Sequence, residues 1–92
     1  ELSLYGSRFL VNTGTSGYCE GERRQYERST AAHNTVTVDD ADSSEVWAGF
    51  RVARRAYPRN RKIHESAGEI RVWGRHTGYR RLPGRNIHTR TW

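Results

Sequence analysis

The sequence predicts an all-β fold, an antiparallel β-sandwich, and three observations carry that prediction. The larger apolar residues are mostly β-branched or aromatic, with three Trp, five Tyr and two Phe, a composition that suits pleated, half-buried strands. Short alternating segments recur about every ten residues, separated by Gly, Pro and Asp turns, as in small sandwiches. No segment shows the apolar spacing of a helix.

The length and the polarity of the chain limit what it can build. Ninety-two residues form one small domain at most, and only 34% of them are hydrophobic. We therefore expect residues 1–92 to be one part of a larger sandwich domain, because alternation already typical of a strand's middle begins at Glu1. Such a piece should expose strand edges and apolar faces, and we expect it to be poorly soluble or to self-associate.

Most segments are assigned from alternation and turn chemistry. Residues 34–38 give the cleanest strand signal, because they are rich in β-branched side chains, and residues 39–42 form an acidic turn. Residues 20–28 are charged and lack an apolar stripe, so a loop is predicted there. The other predicted strands cover residues 2–4, 9–11, one or two segments within 47–57, 69–73, 78–82 and 87–92.

The net charge of +6 comes almost entirely from arginine, with Lys62 the only lysine. The guanidinium group pairs with carboxylate, sulfate and phosphate, so an acidic polysaccharide, a nucleic acid or simply a solvated arginine surface would explain the charge. Cys19 is the only cysteine, which excludes an internal disulfide and a cysteine-based zinc site. No apolar run is long enough to cross a membrane as a helix.

The residues alone give no catalytic motif. The four histidines, His33, His64, His76 and His88, are never four apart, which excludes the helical HExxH zinc site, and no P-loop, GxGxxG or nucleophile elbow is present. The three aspartates of residues 39–42 lack the glycine and glutamate of an EF-hand calcium loop. On composition, each histidine is most simply a surface or structural residue.

Five segments together resemble heparinase II/III-like proteins. RSTAAHNTVTVD at residues 28–39 is similar to the family's R-S-T-x-A-H-N-T-V-x-V-D segment, and ELSLYGSRFLVNTG at 1–14 is similar to its F-E-L-S-x-x-G-x-x-L-l-v-D-x-G-t hairpin. SEVWAGFRV at 44–52, HTGYRRL at 76–82 and HTR at 88–90 also match family segments in order. The resemblance spans nearly the whole chain and identifies it as a partial C-terminal β-sandwich domain.

The resemblance implies a polysaccharide lyase that cleaves uronic-acid polysaccharide, alginate or a glycosaminoglycan, by β-elimination. Such lyases join an α/α toroid to a C-terminal sandwich, and their catalytic Tyr, Asn and His residues lie in the toroid and in a sandwich segment before residue 1. No catalytic residue is therefore expected within these 92 residues, and the chain alone should be inactive. The implied partners are acidic polysaccharide, the toroid and the remaining sandwich strands, and the implied location is periplasmic or secreted.

The resemblance also implies a metal site. Many members hold zinc with a histidine upstream of this chain, an aspartate at the position of Asn12, and a histidine at the position of His33. Asn12 departs from the family pattern, and a neutral amide oxygen is a poorer zinc ligand than a carboxylate. Zinc in the parent protein, with Asn12 and His33 as ligands, is thus an expectation that this departure weakens.

Substrate-binding residues are not identified by the sequence. Tyr79, Trp47 and Trp73 could stack on sugar rings, although aromatic residues of a sandwich are more often core. Arg51, Arg54 and Arg55 could contact acidic groups of a substrate, or else protect a solvated edge strand. The alternatives to a lyase are a non-catalytic carbohydrate-binding domain and, third, an arginine-rich nucleic-acid-binding domain.

Overall fold

The computed structural model describes all 92 residues, which divide into two compact units, Glu1–Arg54 and Arg55–Trp92. Seven strands pair only in antiparallel fashion, in two two-stranded sheets and one three-stranded sheet. The predicted all-β class is confirmed. The strands are β1 (Leu2–Leu4), β2 (Ser7–Leu10), β3 (Glu45–Ala48), β4 (Arg51–Arg54), β5 (Pro58–Ser66), β6 (Glu69–His76) and β7 (His88–Thr91), and the helices are α1 (Glu22–Arg28) and 3-10 turns at Thr30–Ala32 and Gly78–Arg81.

The first unit begins with the predicted β1–β2 hairpin. Its turn residues Tyr5 and Gly6 have φ of 52° and 79°, and two consecutive positive φ values are those of a two-residue hairpin turn whose twist matches the flanking strands. Glycine adopts this conformation without steric cost, and Tyr5 projects fully into solvent. The hairpin ends at Leu10, two residues before Asn12.

The loop predicted for residues 20–28 is wrong, because Glu22–Arg28 forms α1. The helix has no buried residue, so it lacks the apolar stripe by which an amphipathic helix is predicted from sequence. Two arginines attach it to the β3–β4 turn: Arg24 Nη2 donates to Gly49 O at 3.2 Å, and Arg28 donates to the carbonyl oxygens of Ala48 and Arg51. The helix is therefore held by guanidinium–carbonyl hydrogen bonds rather than by apolar packing.

The strand predicted for residues 34–38 is also wrong. The segment is bent, and only Val38 makes a β-bridge, to Ala41 across the Asp39–Asp40 turn. Both aspartates have φ of 52°, so the acidic turn is confirmed. Strand propensity requires a partner strand to take up the backbone hydrogen bonds, and no strand lies beside this segment.

β3 and β4 pair as a hairpin and confirm the prediction of one or two strands within residues 47–57. The register shifts twice along this pair, so side chains do not alternate regularly between its two faces. Arg54 forms an ion pair with Glu45 at 3.5 Å across the two strands, and Arg51 lies over the Trp47 ring at 5.3 Å. These contacts between side chains of neighbouring strands stabilise the β3–β4 hairpin.

The second unit is a three-stranded antiparallel sheet in the order β5–β6–β7. The strands predicted at 69–73 and 87–92 are confirmed as β6 and β7, but β5, the longest strand, was not predicted. Every residue of β5 is exposed, so neither face shows the apolar alternation of a half-buried strand. Asn60, at φ 50°, lies where the β5–β6 register shifts, in a bulge opposite Gly74.

The strand predicted for residues 78–82 is wrong, since Gly78–Arg81 forms a 3-10 turn. The turn is closed by Arg80 N–H donating to Thr77 O at 3.0 Å and Leu82 N–H donating to Tyr79 O at 3.1 Å. Tyr79, within this turn, is 0% exposed and is the one large side chain that is fully buried. The segment pairs with no strand.

Little else is buried in either unit. Beside Tyr79, only Thr30, Ala32 and two glycines, Gly49 and Gly78, are buried. By contrast, Phe9, Phe50, Ile63 and Ile70 are each at least 65% exposed. The exposed apolar faces expected from the composition are therefore present. Neither α1 nor the 3-10 turns provides a stretch long and apolar enough to span a membrane.

Candidate functional site

The structure brings together the two residues that the resemblance marks as metal-ligand positions. Asn12 follows the end of β2, His33 follows the 3-10 turn at Thr30–Ala32, and the Asn12 amide nitrogen lies 3.0 Å from His33 Nδ1. The Asn12 Oδ1 atom accepts the backbone N–H of Gly14 at 2.9 Å. The side chain is thus held at both ends of its amide group.

Two further side-chain hydrogen bonds join the same two segments. Thr13 Oγ1 donates to Ala32 O at 3.3 Å, and Asn34 Nδ2 donates to Val11 O at 2.6 Å. Residues 11–13 and 32–34 are therefore connected by three hydrogen bonds involving side chains, at a place where no β-ladder joins them. We call this arrangement the 12/33 clasp.

The hydrogen bonds of the clasp fix the protons on both side chains. Because Oδ1 of Asn12 accepts from Gly14, its amide nitrogen must be the atom that donates to His33 Nδ1. Nδ1 is then the acceptor in this hydrogen bond, which corresponds to the tautomer with the ring proton on Nε2. Neither ring nitrogen offers a free lone pair.

These residues, as arranged, do not fit a zinc ion. Zinc binds a deprotonated ring nitrogen and favours carboxylate or thiolate partners, whereas here Asn12 directs N–H groups at His33. No group of three or more His, Cys, Asp or Glu side chains in the chain could hold a metal. The metal role of Asn12 and His33 stays a prediction, and their contacts favour a hydrogen-bonded clasp that needs no metal.

A second histidine cluster lies within the second unit, and the sequence assigned it no role. His76 and His88 are directly opposite on β6 and β7, with His88 Nδ1 3.0 Å from His76 Nε2. The Gly78 N–H donates to His76 Nδ1 at 3.2 Å, and the His76 ring lies 5.5 Å from that of Tyr79. Burial, and then the charge of neighbouring His88, lowers the pKa of His76 from its ordinary value of 6.5. The neutral form of His76 is favoured, which suits a structural hydrogen-bond relay.

The aromatic candidates differ in exposure. Tyr79 is fully buried, so it packs in the interior and cannot stack on a sugar. Trp47 is 60% exposed beneath the Arg51 guanidinium, and Trp73 is half-buried on β6. Arg54 is partly engaged by Glu45, while Arg55 is exposed. Of the three aromatic residues, Trp47 and Trp73 remain available to a ligand.

The sequence analysis missed three further residues, Lys62, His64 and Arg71, which together with Trp73 line a groove of about 320 Å³ on the β5–β6 hairpin. Their placement depends on β5 pairing with β6, and β5 had no apolar alternation to reveal it. The one signal available was the presence of Lys62 and His64 at alternate positions and of Arg71 two residues before Trp73.

The comparison with protein-family models agrees with the resemblance seen in the motifs. The model described as heparinase II/III-like, C-terminal, matches residues 1–92. No curated protein and no solved structure matches the chain. The match covers every residue, including the segments that carry Asn12, His33, His76 and His88. The chain belongs to the heparinase II/III-like C-terminal family.

Proposed function

We propose that this chain is part of a polysaccharide lyase that cleaves uronic-acid-containing polysaccharide by β-elimination, with the catalytic residues in the rest of that protein. The observation that carries the proposal is the family match over all of residues 1–92. The net charge of +6 supports an acidic polymer as the partner, since a cationic surface raises the local concentration of a polyanion.

The chemistry of β-elimination sets what the whole protein must supply. A base removes the weakly acidic C5 proton of a uronate, the C4–oxygen bond breaks, the leaving oxygen takes up a proton, and an unsaturated sugar remains. The uronate carboxylate must be neutralised by hydrogen bonds while negative charge develops beside it. In this proposal the 92 residues supply none of the reacting groups and contribute cationic surface and structural support.

The 12/33 clasp is the part of the chain that we connect to activity. It holds the segment after β2 against the segment after Ala32 through hydrogen bonds of 3.0, 3.3 and 2.6 Å. Removing it would let both segments shift, and displacements of about 1 Å at a positioning element are sufficient to slow a reaction substantially. His33 is accordingly a positioning residue in this proposal.

A carbohydrate-binding domain without catalysis is the second candidate, because Trp47 is exposed and cationic side chains are abundant. A nucleic-acid-binding role ranks third. A periplasmic or secreted location is proposed from the family membership.

The test uses the full-length protein that contains these residues, incubated with alginate, heparan sulfate, chondroitin sulfate and hyaluronan. Ultraviolet absorbance of the unsaturated uronate is followed for the wild type, for His33→Ala, and for the control Asn86→Ala, whose exposed side chain lies outside the clasp. We expect absorbance to rise on one substrate, more slowly for His33→Ala and unchanged for Asn86→Ala. A flat trace on every substrate from a folded wild-type protein would reject the lyase and favour binding alone.

A further inference from the structure

The two faces of the β5–β6 hairpin differ in chemistry. Lys62 lies directly opposite Trp73, and His64 lies directly opposite Arg71; directly opposed residues of a sheet share a face. The bulge at Asn60 keeps Arg59 opposite Arg75. We call this side of the hairpin the Trp73 face, and its basic and aromatic residues are Arg59, Lys62, His64, Arg71, Trp73 and Arg75.

The Trp73 face carries an excess of positive charge. Glu69 is its one carboxylate, and that group is engaged by Arg71, whose Nη2 lies 2.7 Å from Glu69 Oε1. Lys62 is exposed and forms no ion pair, so its ammonium group is open to an incoming anion. The groove of about 320 Å³ lies between these cations and the half-buried Trp73 ring.

The opposite face is different and serves as an internal reference. It carries Ile63, Val72 and Trp92, with Arg61 and Arg90 at its margins. A second groove of about 280 Å³ lies here, and parts of Lys62 and Trp73 also line it. Arg90 already lies over the Trp92 ring at 4.3 Å. The tryptophan of this face is therefore covered by a cation, whereas Trp73 has no arginine over its ring.

We propose that the Trp73 face is a binding subsite for an anionic sugar unit, outside the reacting centre. The Trp73 ring packs on the apolar face of the sugar ring, and Lys62, assisted by Arg71, pairs with its carboxylate or sulfate. The choice of an acidic polysaccharide rests on the proposed function. A nucleic-acid surface would need several aromatic rings in series to stack successive bases, and this face has one.

The test compares two matched pairs of variants of the full-length protein: Trp73→Ala with Trp92→Ala, and Lys62→Gln with Arg61→Gln. The probes are fluorescein-labelled alginate and chondroitin sulfate oligosaccharides, measured by anisotropy at low ionic strength, where screening is weakest. We expect the dissociation constant to rise about tenfold for Trp73→Ala and about threefold for Lys62→Gln. Trp92→Ala and Arg61→Gln should stay within about twofold of wild type.

Several outcomes decide the matter. Equal affinities for Lys62→Gln and wild type would overturn the subsite even if Trp73→Ala fails to fold, because Lys62 is exposed. Equal losses of oligosaccharide affinity in both members of each pair would also overturn it. So would weaker binding of single-stranded DNA by Trp73→Ala and Lys62→Gln together with unchanged oligosaccharide binding. If Lys62→Gln still carries out elimination with an unchanged KM, the subsite is rejected and the lyase proposal is kept. If variants of the Trp73 face alone lose binding and the wild type eliminates no substrate, the subsite is kept and the lyase proposal is rejected.

Discussion

Replacing Asn12 by alanine tests the 12/33 clasp directly. The substitution removes two hydrogen bonds, the one to His33 at 3.0 Å and the one accepted from Gly14 at 2.9 Å. Each exposed hydrogen bond contributes about 0.5 kcal/mol net, the low end of the usual range, so the expected loss is about 1 kcal/mol. For a domain of this size that corresponds to a fall in melting temperature of about 4–8 °C.

The assay is thermal unfolding of the chain followed by circular dichroism, at low protein concentration and with and without a chelator. We expect Asn12→Ala to melt earlier than wild type, Asn86→Ala to match wild type, and the chelator to change neither. A coincident melt for Asn12→Ala and wild type would refute the energetic role of the clasp. A wild-type melt lowered by the chelator would refute its independence of metal.

The substitution Asn12→Asp extends the same reasoning to the full-length protein. A carboxylate at residue 12 can only accept, so the proton of His33 would move to Nδ1 and the Nε2 lone pair would become free for a metal. Zinc content measured by elemental analysis should therefore rise in Asn12→Asp above that of wild type. Equal zinc content in the two proteins, high or low, would contradict the role assigned to the Asn12 amide.

Three other predictions concern the second unit and the exposed surface. Burial lowers the pKa of His76 below 6.5, so on acidification the unfolded state takes up the extra proton first. The free energy of unfolding should therefore be full above about pH 6.5 and fall below it. Urea midpoints at several pH values measure this, and a midpoint that rises on acidification would contradict it. Tyr79→Ala should cost about 3–5 kcal/mol in urea unfolding, and the exposed Tyr26→Ala about 0.5 kcal/mol or less; similar costs would refute the assignment of Tyr79 as a core residue. The exposed apolar faces should make the chain self-associate in size-exclusion chromatography, and a monomeric chain with narrow, dispersed NMR signals would count against this.

Local alternation and turn residues predicted the β1–β2 hairpin and several strands, whereas the β5–β6 hairpin was missed because β5 was not predicted. The turn at Tyr5–Gly6 and the strands β6 and β7 follow from residues that are neighbours in the chain or directly paired. The errors have a common physical origin. Residues 34–38 have strand propensity without a partner strand, and α1 has a partner surface without an apolar stripe, since Arg24 and Arg28 make its attachments.

The candidate site was predictable in position but not in chemistry. The family motifs align Asn12 and His33 with two metal-ligand positions of the family, and the structure brings these two residues into contact. Which atom of the amide faces the imidazole depends on the Gly14 N–H, which lies two residues away and leaves no mark in the motif. The Trp73 face could not be predicted for another reason. The residues that share it are determined by the β5–β6 register, which includes the bulge at Asn60.

This chain has Asn12 where the family pattern has aspartate, and this difference also affects how the chain would bind a polyanion. An aspartate at residue 12 would add one negative charge beside His33. Asn12 adds no charge and keeps the two segments joined through its hydrogen bond to His33. The cationic excess of the chain, +6 in all, then depends on arginine and Lys62 alone, which is why we expect its binding of acidic polysaccharide to respond to salt and to Lys62→Gln rather than to chelators.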